Sequence, residues 1–221
     1  MAEKSKKTLI LSKSAFRIML LGAAEGWPNE VTGYLAGRRE WRDYTIFCAY
    51  PVLNSIRRPD HVEYKKNASI DRLWRLQELW KKGSTQNSFI GGFHSHVPSA
   101  FNGDFDPTLI NQLSADKDAD IDFILREMRK NKKSSWIEII VNINLKEISG
   151  GYPVNEHIYY RHRKLYMNAH AEPMQPGGAH EHYKVILSGY HLNRERKVTP
   201  LTVRLGKVEV ARRGLEDCVL K

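Results

Sequence analysis

Apolar residues recur along the chain with two periods, and each change of period marks a change of element. From Ser14 an apolar group, Ile18, Met19, Leu20 and Leu21, leads to Gly26 and Pro28, which predicts a helix capped by the serine and stopped by the Gly and Pro. Glu30 to Gly37 alternates as a strand does, and Tyr44 to Tyr50 is rich in β-formers, so the polar turn 38–43 between them predicts a hairpin. Ile70, Leu73, Trp74, Leu76, Leu79 and Trp80 fall at helical spacing with Gly83 beyond them, predicting a helix over 69–82. Phe89 to His96 reads as a buried strand running into an irregular loop, 97–113. A helix follows with Ile121, Ile124, Leu125 and Met128 on its apolar side and the basic run 129–133 at its end. Trp136 to Ile143 is nearly continuous apolar and β-branched, the pattern of a central strand.

After Gly150 and Gly151 the pattern is less regular. A strand-like run, Ile158 to Tyr166, is followed by a Gly/Pro/His-rich segment, 168–181, expected to be flexible, and then by β-like runs at 183–187, 201–205 and 208–210. Strands and helices alternate up to about residue 145, which fits an α/β or α+β sandwich. The expected organisation is a main domain over 8–150 and a β-rich C-terminal extension over 151–221, packed on the same domain.

Composition narrows the class. The 221 residues are 41% hydrophobic, enough for a packed core, and no stretch reaches the ~18 consecutive apolar residues of a membrane-spanning helix. The first residues lack the apolar length of a secretion signal, so a soluble, cytoplasmic protein is expected. Only Cys48 and Cys218 are present, far apart and without CxxC spacing, which leaves His and carboxylate as the metal ligands on offer. The net charge of +10 is spread over scattered clusters, among them Arg57 and Arg58, Lys65 and Lys66, and 161–164. No recognisable nucleic-acid-binding motif accompanies them, so nucleic acid is a disfavoured partner, and an acidic protein partner stays open.

The pair His94-Ser95-His96 brings in chemistry. Side chains at i and i+2 of a strand project from one face, so both imidazoles can converge on one ion. The pair ends an apolar strand, Gly91 and Gly92 allow close backbone approach, and Asp104, Asp106, Asp116, Asp118, Asp120 and Asp122 follow within 26 residues of His96. Glu30, at the entry of an apolar strand, is either an exposed strand-end residue or a carboxylate directed into a functional cavity.

Taken together, the run Glu30-Val-Thr-Gly-Tyr-Leu-Ala-Gly37, then a strand, a loop and a helix, then Gly91-Gly-Phe-His-Ser-His96 and an acidic helix start, resembles the JAMM metalloprotease motif of MPN domains. The resemblance spans about residues 8–144. It implies an MPN-type, cytidine-deaminase-like fold of three layers, a sheet flanked by helices. It implies a zinc-dependent isopeptidase in which two His and an Asp bind Zn2+, the fourth position is open and Glu30 is the general base. The implied substrate is a ubiquitin-like protein or its conjugate. The compact size looks like the bacterial stand-alone members that process such modifiers, some of them in antiviral conjugation operons with activating (E1-like) and conjugating (E2-like) enzymes.

The third ligand has competing placements, because Val97 stands where the family has Pro and no S-x-x-D follows His96 at the usual distance. Asp106 suits a loop of ordinary length but is followed by Pro107. In an enlarged loop Ser114 opens the helix, as the family's catalytic hydroxyl or simply as an N-cap, and Asp118 or Asp120 is the ligand. Asp120 is favoured because Ile121, Phe123 and Ile124 follow it. His170, His180, His182 and His191 form a His-rich tract in polar surroundings and are expected to be exposed rather than a second metal site. Cys48 reads as a small buried hydrophobe. Two other classes stand beside the peptidase: a metal-free scaffold of the same family, and a basic nucleic-acid binder.

Overall fold

A computed structural model describes residues 7–41, 43–52, 55–57, 62–64, 88–96, 112–113, 120–148, 157–171 and 180–206. Its first half follows the local patterns. Strand β1 (Thr8–Leu11) leads into helix α1 (Lys13–Gly26), then β2 (Thr32–Glu40) and β3 (Asp43–Pro51) form the antiparallel hairpin. The α1 cap is Ser12 rather than Ser14: its hydroxyl accepts from the Ala15 amide at 3.0 Å and donates to the Phe47 carbonyl of β3 at 2.6 Å. One side chain thus satisfies a helix end and ties it to the sheet, the cap position that Ser14, two residues further in, does not occupy.

A short ribbon of β4 (Ser55–Arg57) and β5 (Val62–Tyr64) precedes β6 (Ser88–His96), helix α2 (Asp120–Lys130) and β7 (Ser135–Ile148). The helix predicted over 69–82 and the strand at 208–210 lie outside the described residues. The run 158–166 is a hairpin, β8 (His157–Arg161) and β9 (Lys164–Ala171), turning at His162 and Arg163, both with positive φ. That turn is invisible to a search for Asn-Gly or Gly-rich turns because it contains no Asn, Asp or Gly. The ends of the supposedly flexible segment 168–181 are paired strand: Glu181 lies opposite Ala171 and His182 opposite His170, at the start of β10 (His180–Asn193). Strand β11 (Val198–Leu205) completes the series.

The expected three-layer α/β sheet flanked by helices is not what forms. β11 pairs in parallel with β1, Thr8 to Leu11 lying beside Thr202 to Leu205, and antiparallel with β10. The ring β11-β1-β3-β2-β6-β7-β10 therefore closes on itself as a seven-stranded barrel, with two helices among the described residues. The strands expected to form a C-terminal extension are staves of this barrel, and β10 runs against β7 along its whole length of 14 residues. Closure comes from β1 and β11 meeting across almost the full chain, a non-local pairing that no local hydrophobic period encodes.

Alternation sorts the core. Leu9, Leu11, Leu35, Ile46, Phe93, Ile137, Ile139, Val141, Ile143, Leu187 and Val203 fill one cluster, joined by Phe16 and Met19 of α1. The opposite faces of β2, β6 and β7 carry Tyr34, Phe89 and Trp136, which are covered by Ile121, Ile124 and Met128 of α2. Gly91 permits the close approach of β6 to β7, since a Cβ there would collide with the Ile137 backbone carbonyl. Gly91→Ala is therefore expected to cost on the order of 3 kcal/mol, read as a lower urea midpoint at unchanged m-value.

Candidate metal centre

Strand β6 lies between β2, antiparallel, and β7, parallel, so its side chains alternate between the barrel interior and the outer face. Phe93 and Ser95 are fully buried, and His94 and His96 occupy the outer face beside the α2 layer. The β2 register is set by Thr32 opposite His94 and extended by two bonds past the strand end. The Ser95 amide donates to the Val31 carbonyl at 2.7 Å, and the Val31 amide donates to Ser95 Oγ at 2.8 Å. Glu30 directly precedes Val31, two residues before the start of β2.

Helix α2 brings the third group. Tyr34 of β2 donates its hydroxyl to Glu127 Oε2 of α2 at 3.0 Å, and the packing of Ile124 and Met128 holds the helix against the barrel. That docking places Asp120, the first residue of α2, over the two imidazoles. His94 Nε2 lies 3.0 Å from His96 Nε2 and 3.5 Å from Asp120 Oδ1, and His96 Nε2 lies 3.8 Å from Asp120 Oδ2. Donors held at 2.0–2.2 Å around a tetrahedral ion are about 3.3–3.5 Å apart, so this triangle fits a dication such as zinc with little adjustment. Among the described residues this is the group of His, Cys, Asp and Glu side chains able to hold an ion. The side chains are 12%, 9% and 23% exposed, so the outer corner of the triangle opens through Asp120.

The second nitrogen of His94 is also occupied. Its Nδ1 is 2.8 Å from Glu138 Oε1, and the other oxygen of Glu138 accepts from Trp136 Nε1 at 2.6 Å. Burial disfavours a charged His94, but the carboxylates of Asp120 and Glu138 outweigh it and hold the imidazole well above its ordinary value. Burial raises Glu138, against the hydrogen bonds from His94 and Trp136, which pull it down.

The structure thus brings together His94, His96 and Asp120, with Glu30 on the adjoining strand entry. Ser114, Asp118 and Asp106 lie outside the described residues. Of the His-rich tract, His191 is half-buried rather than exposed, stacked on Tyr44 with ring centroids 5.7 Å apart, because β10 is a barrel stave. Cys48 is partly buried beside the α2 cluster. Sequence reasoning missed Glu138. The available signal was a lone carboxylate inside the apolar run Trp136 to Ile143, where a charge is costly unless partnered.

The raised His94 value links metal binding to pH. In the metal-free fold His94 holds its proton more tightly than in the unfolded chain, so this stabilisation is full below the ordinary value of 6.5 and is lost as pH rises through the raised folded value. A cation needs bare Nε2 and must displace that proton, so zinc affinity should fall as pH is lowered. Calorimetric zinc titrations at pH 7 in buffers of different ionisation enthalpy are expected to report proton release; heats independent of the buffer would contradict it.

No family model matches the chain, and no curated protein does. Among solved structures it is similar to the solution structure of protein DSY2949 from Desulfitobacterium hafniense, with a TM-score of 0.49 and 17% identity over 93% of this chain and 98% of that one. Among the described residues no helix is long and apolar enough to cross a membrane.

Proposed function

We propose that this protein is a zinc-dependent peptidase that hydrolyses the bond at the C-terminus of a ubiquitin-like protein, whether an isopeptide linkage or a precursor extension. The observation that carries the reading is the convergence of His94, His96 and Asp120 to separations suited to one ion, with Glu30 at the adjoining strand entry. The substrate class rests on the resemblance of the Glu30 strand and the His94-Ser95-His96 strand to the JAMM motif, and the reading is one of residues rather than of fold.

When bound by three protein donors with one position left open, zinc makes a water more acidic and polarises a carbonyl. The residues divide the remaining work. His94 and His96 supply neutral nitrogen and Asp120 supplies a negative oxygen. Glu30 takes the proton of the attacking water as its oxygen adds to the scissile carbonyl carbon. It then delivers that proton to the amine nitrogen as the C–N bond breaks, so the products are a carboxylic acid and an amine.

Glu30→Gln should keep one equivalent of zinc and lose hydrolysis of a ubiquitin-like protein fused through its C-terminus to a reporter, by about 10²–10⁴-fold. Cleavage at the wild-type rate would remove Glu30 from the mechanism. Wild-type protein holding less than about a tenth of an equivalent of zinc, when purified without chelator, would favour a metal-free scaffold.

A further inference from the structure

Glu138 is fixed by two donors, and their chemistry determines the state of His94. An indole nitrogen can only donate, so Trp136 Nε1 commits Glu138 Oε2 to accepting, at 2.6 Å. The other oxygen lies 2.8 Å from His94 Nδ1, and a carboxylate acceptor there requires the proton on Nδ1. That leaves His94 Nε2, the nitrogen facing His96 and Asp120, as the atom that gives up its proton and offers a lone pair when a cation enters.

The clamp is built into the barrel rather than laid on its surface. Glu138 and Trp136 are 4% and 1% exposed, and they sit two residues apart on the outer face of β7. Glu138 pairs with Gly92 of β6, where a Cβ would stand 3.1 Å from Glu138 Oε2 and 3.3 Å from Trp136 Cζ2. A side chain at that position would crowd both members of the clamp. Trp136 is in turn held edge-on against Tyr34, centroids 6.3 Å apart, and Tyr34 donates to Glu127 of the helix that presents Asp120. The same contacts that orient His94 therefore also dock the third ligand.

We infer that Glu138, held by Trp136, is the positioning residue of the metal centre, selecting Nε2 of His94 as the ligating atom. The inference rests on the metal-centre reading above and deepens it. Glu138→Gln keeps the shape, but its amide cannot accept from both Trp136 and His94 without turning its NH2 toward one of them.

The test is metal binding itself, with zinc measured by competition against a chromophoric chelator and cobalt(II) by its visible spectrum. Glu138→Gln should retain the wild-type far-ultraviolet circular dichroism, bind zinc about 10- to 100-fold more weakly and change the cobalt d–d bands. Equal affinity with an unchanged spectrum would overturn the role of Glu138 while leaving the zinc reading intact; wild-type protein that binds neither ion would overturn both. If the variant does not fold, the wild-type protein loaded with cadmium-113 decides by NMR. Coupling of the metal to His94 through Nε2, with a slowly exchanging Nδ1 proton, is expected, and coupling through Nδ1 would contradict the inference.

Discussion

The arrangement depends on one constraint, the register of β6 between an antiparallel neighbour on one side and a parallel neighbour on the other. With Thr32 beside His94 on β2 and Ile140 beside it on β7, Phe93 is committed to the barrel interior and His94 and His96 to the outer face. A slip of one residue would turn both imidazoles into the hydrophobic interior and bring Phe93 out, an exchange opposed by the burial of Phe93, at about 1.5–3 kcal/mol for such a side chain, and by the desolvation of two polar rings. Packing and chemistry thus specify the same register. Each stabilises the alignment that the other requires.

The outer face is where the barrel and α2 meet, and the candidate metal centre lies at the edge of that contact. Ile121, Ile124 and Met128 pack on Tyr34, Phe89 and Trp136, and within this apolar layer two carboxylates, Glu127 and Glu138, are buried with donors attached. Each would be expensive alone. Paired, they give direction to an otherwise featureless hydrophobic contact: Glu127 fixes the helix to β2, and Glu138 fixes His94 to β7. The first residue of the helix and the first histidine of the strand are thereby held 3.5 Å apart, Asp120 Oδ1 from His94 Nε2.

Much of this was legible in the sequence, and the parts that were not have physical causes. The hairpin of β2 and β3, the strand carrying His94 and His96, the amphipathic α2 and the central β7 all follow from local periodicity. Asp120 is favoured over Asp118 and Asp106 because an apolar helical face starts directly after it; among the described residues Asp120 lies beside the histidines, and Asp118 and Asp106 are outside them. Barrel closure was not legible because Thr8 to Leu11 and Thr202 to Leu205 pair across almost the whole chain, and an irregular stretch rich in Gly, Pro and His before β10 disguised a stave as an appendage. Glu138 was hidden for another reason. In a run of β-branched residues a single carboxylate reads as a strand's solvent side, and only its three-dimensional neighbours, His94 and Trp136, reveal it as a buried acceptor on the outer face of β7.

The account turns on whether these three side chains hold an ion by their imidazole nitrogens and a carboxylate oxygen. X-ray absorption at the zinc edge on the wild-type protein measures that directly. Nitrogen and oxygen neighbours alone at about 2.0–2.2 Å, with the outer-shell scattering of two imidazoles, is the predicted result. A sulfur neighbour near 2.3 Å, or scattering from no more than one imidazole, would contradict the assignment of His94, His96 and Asp120.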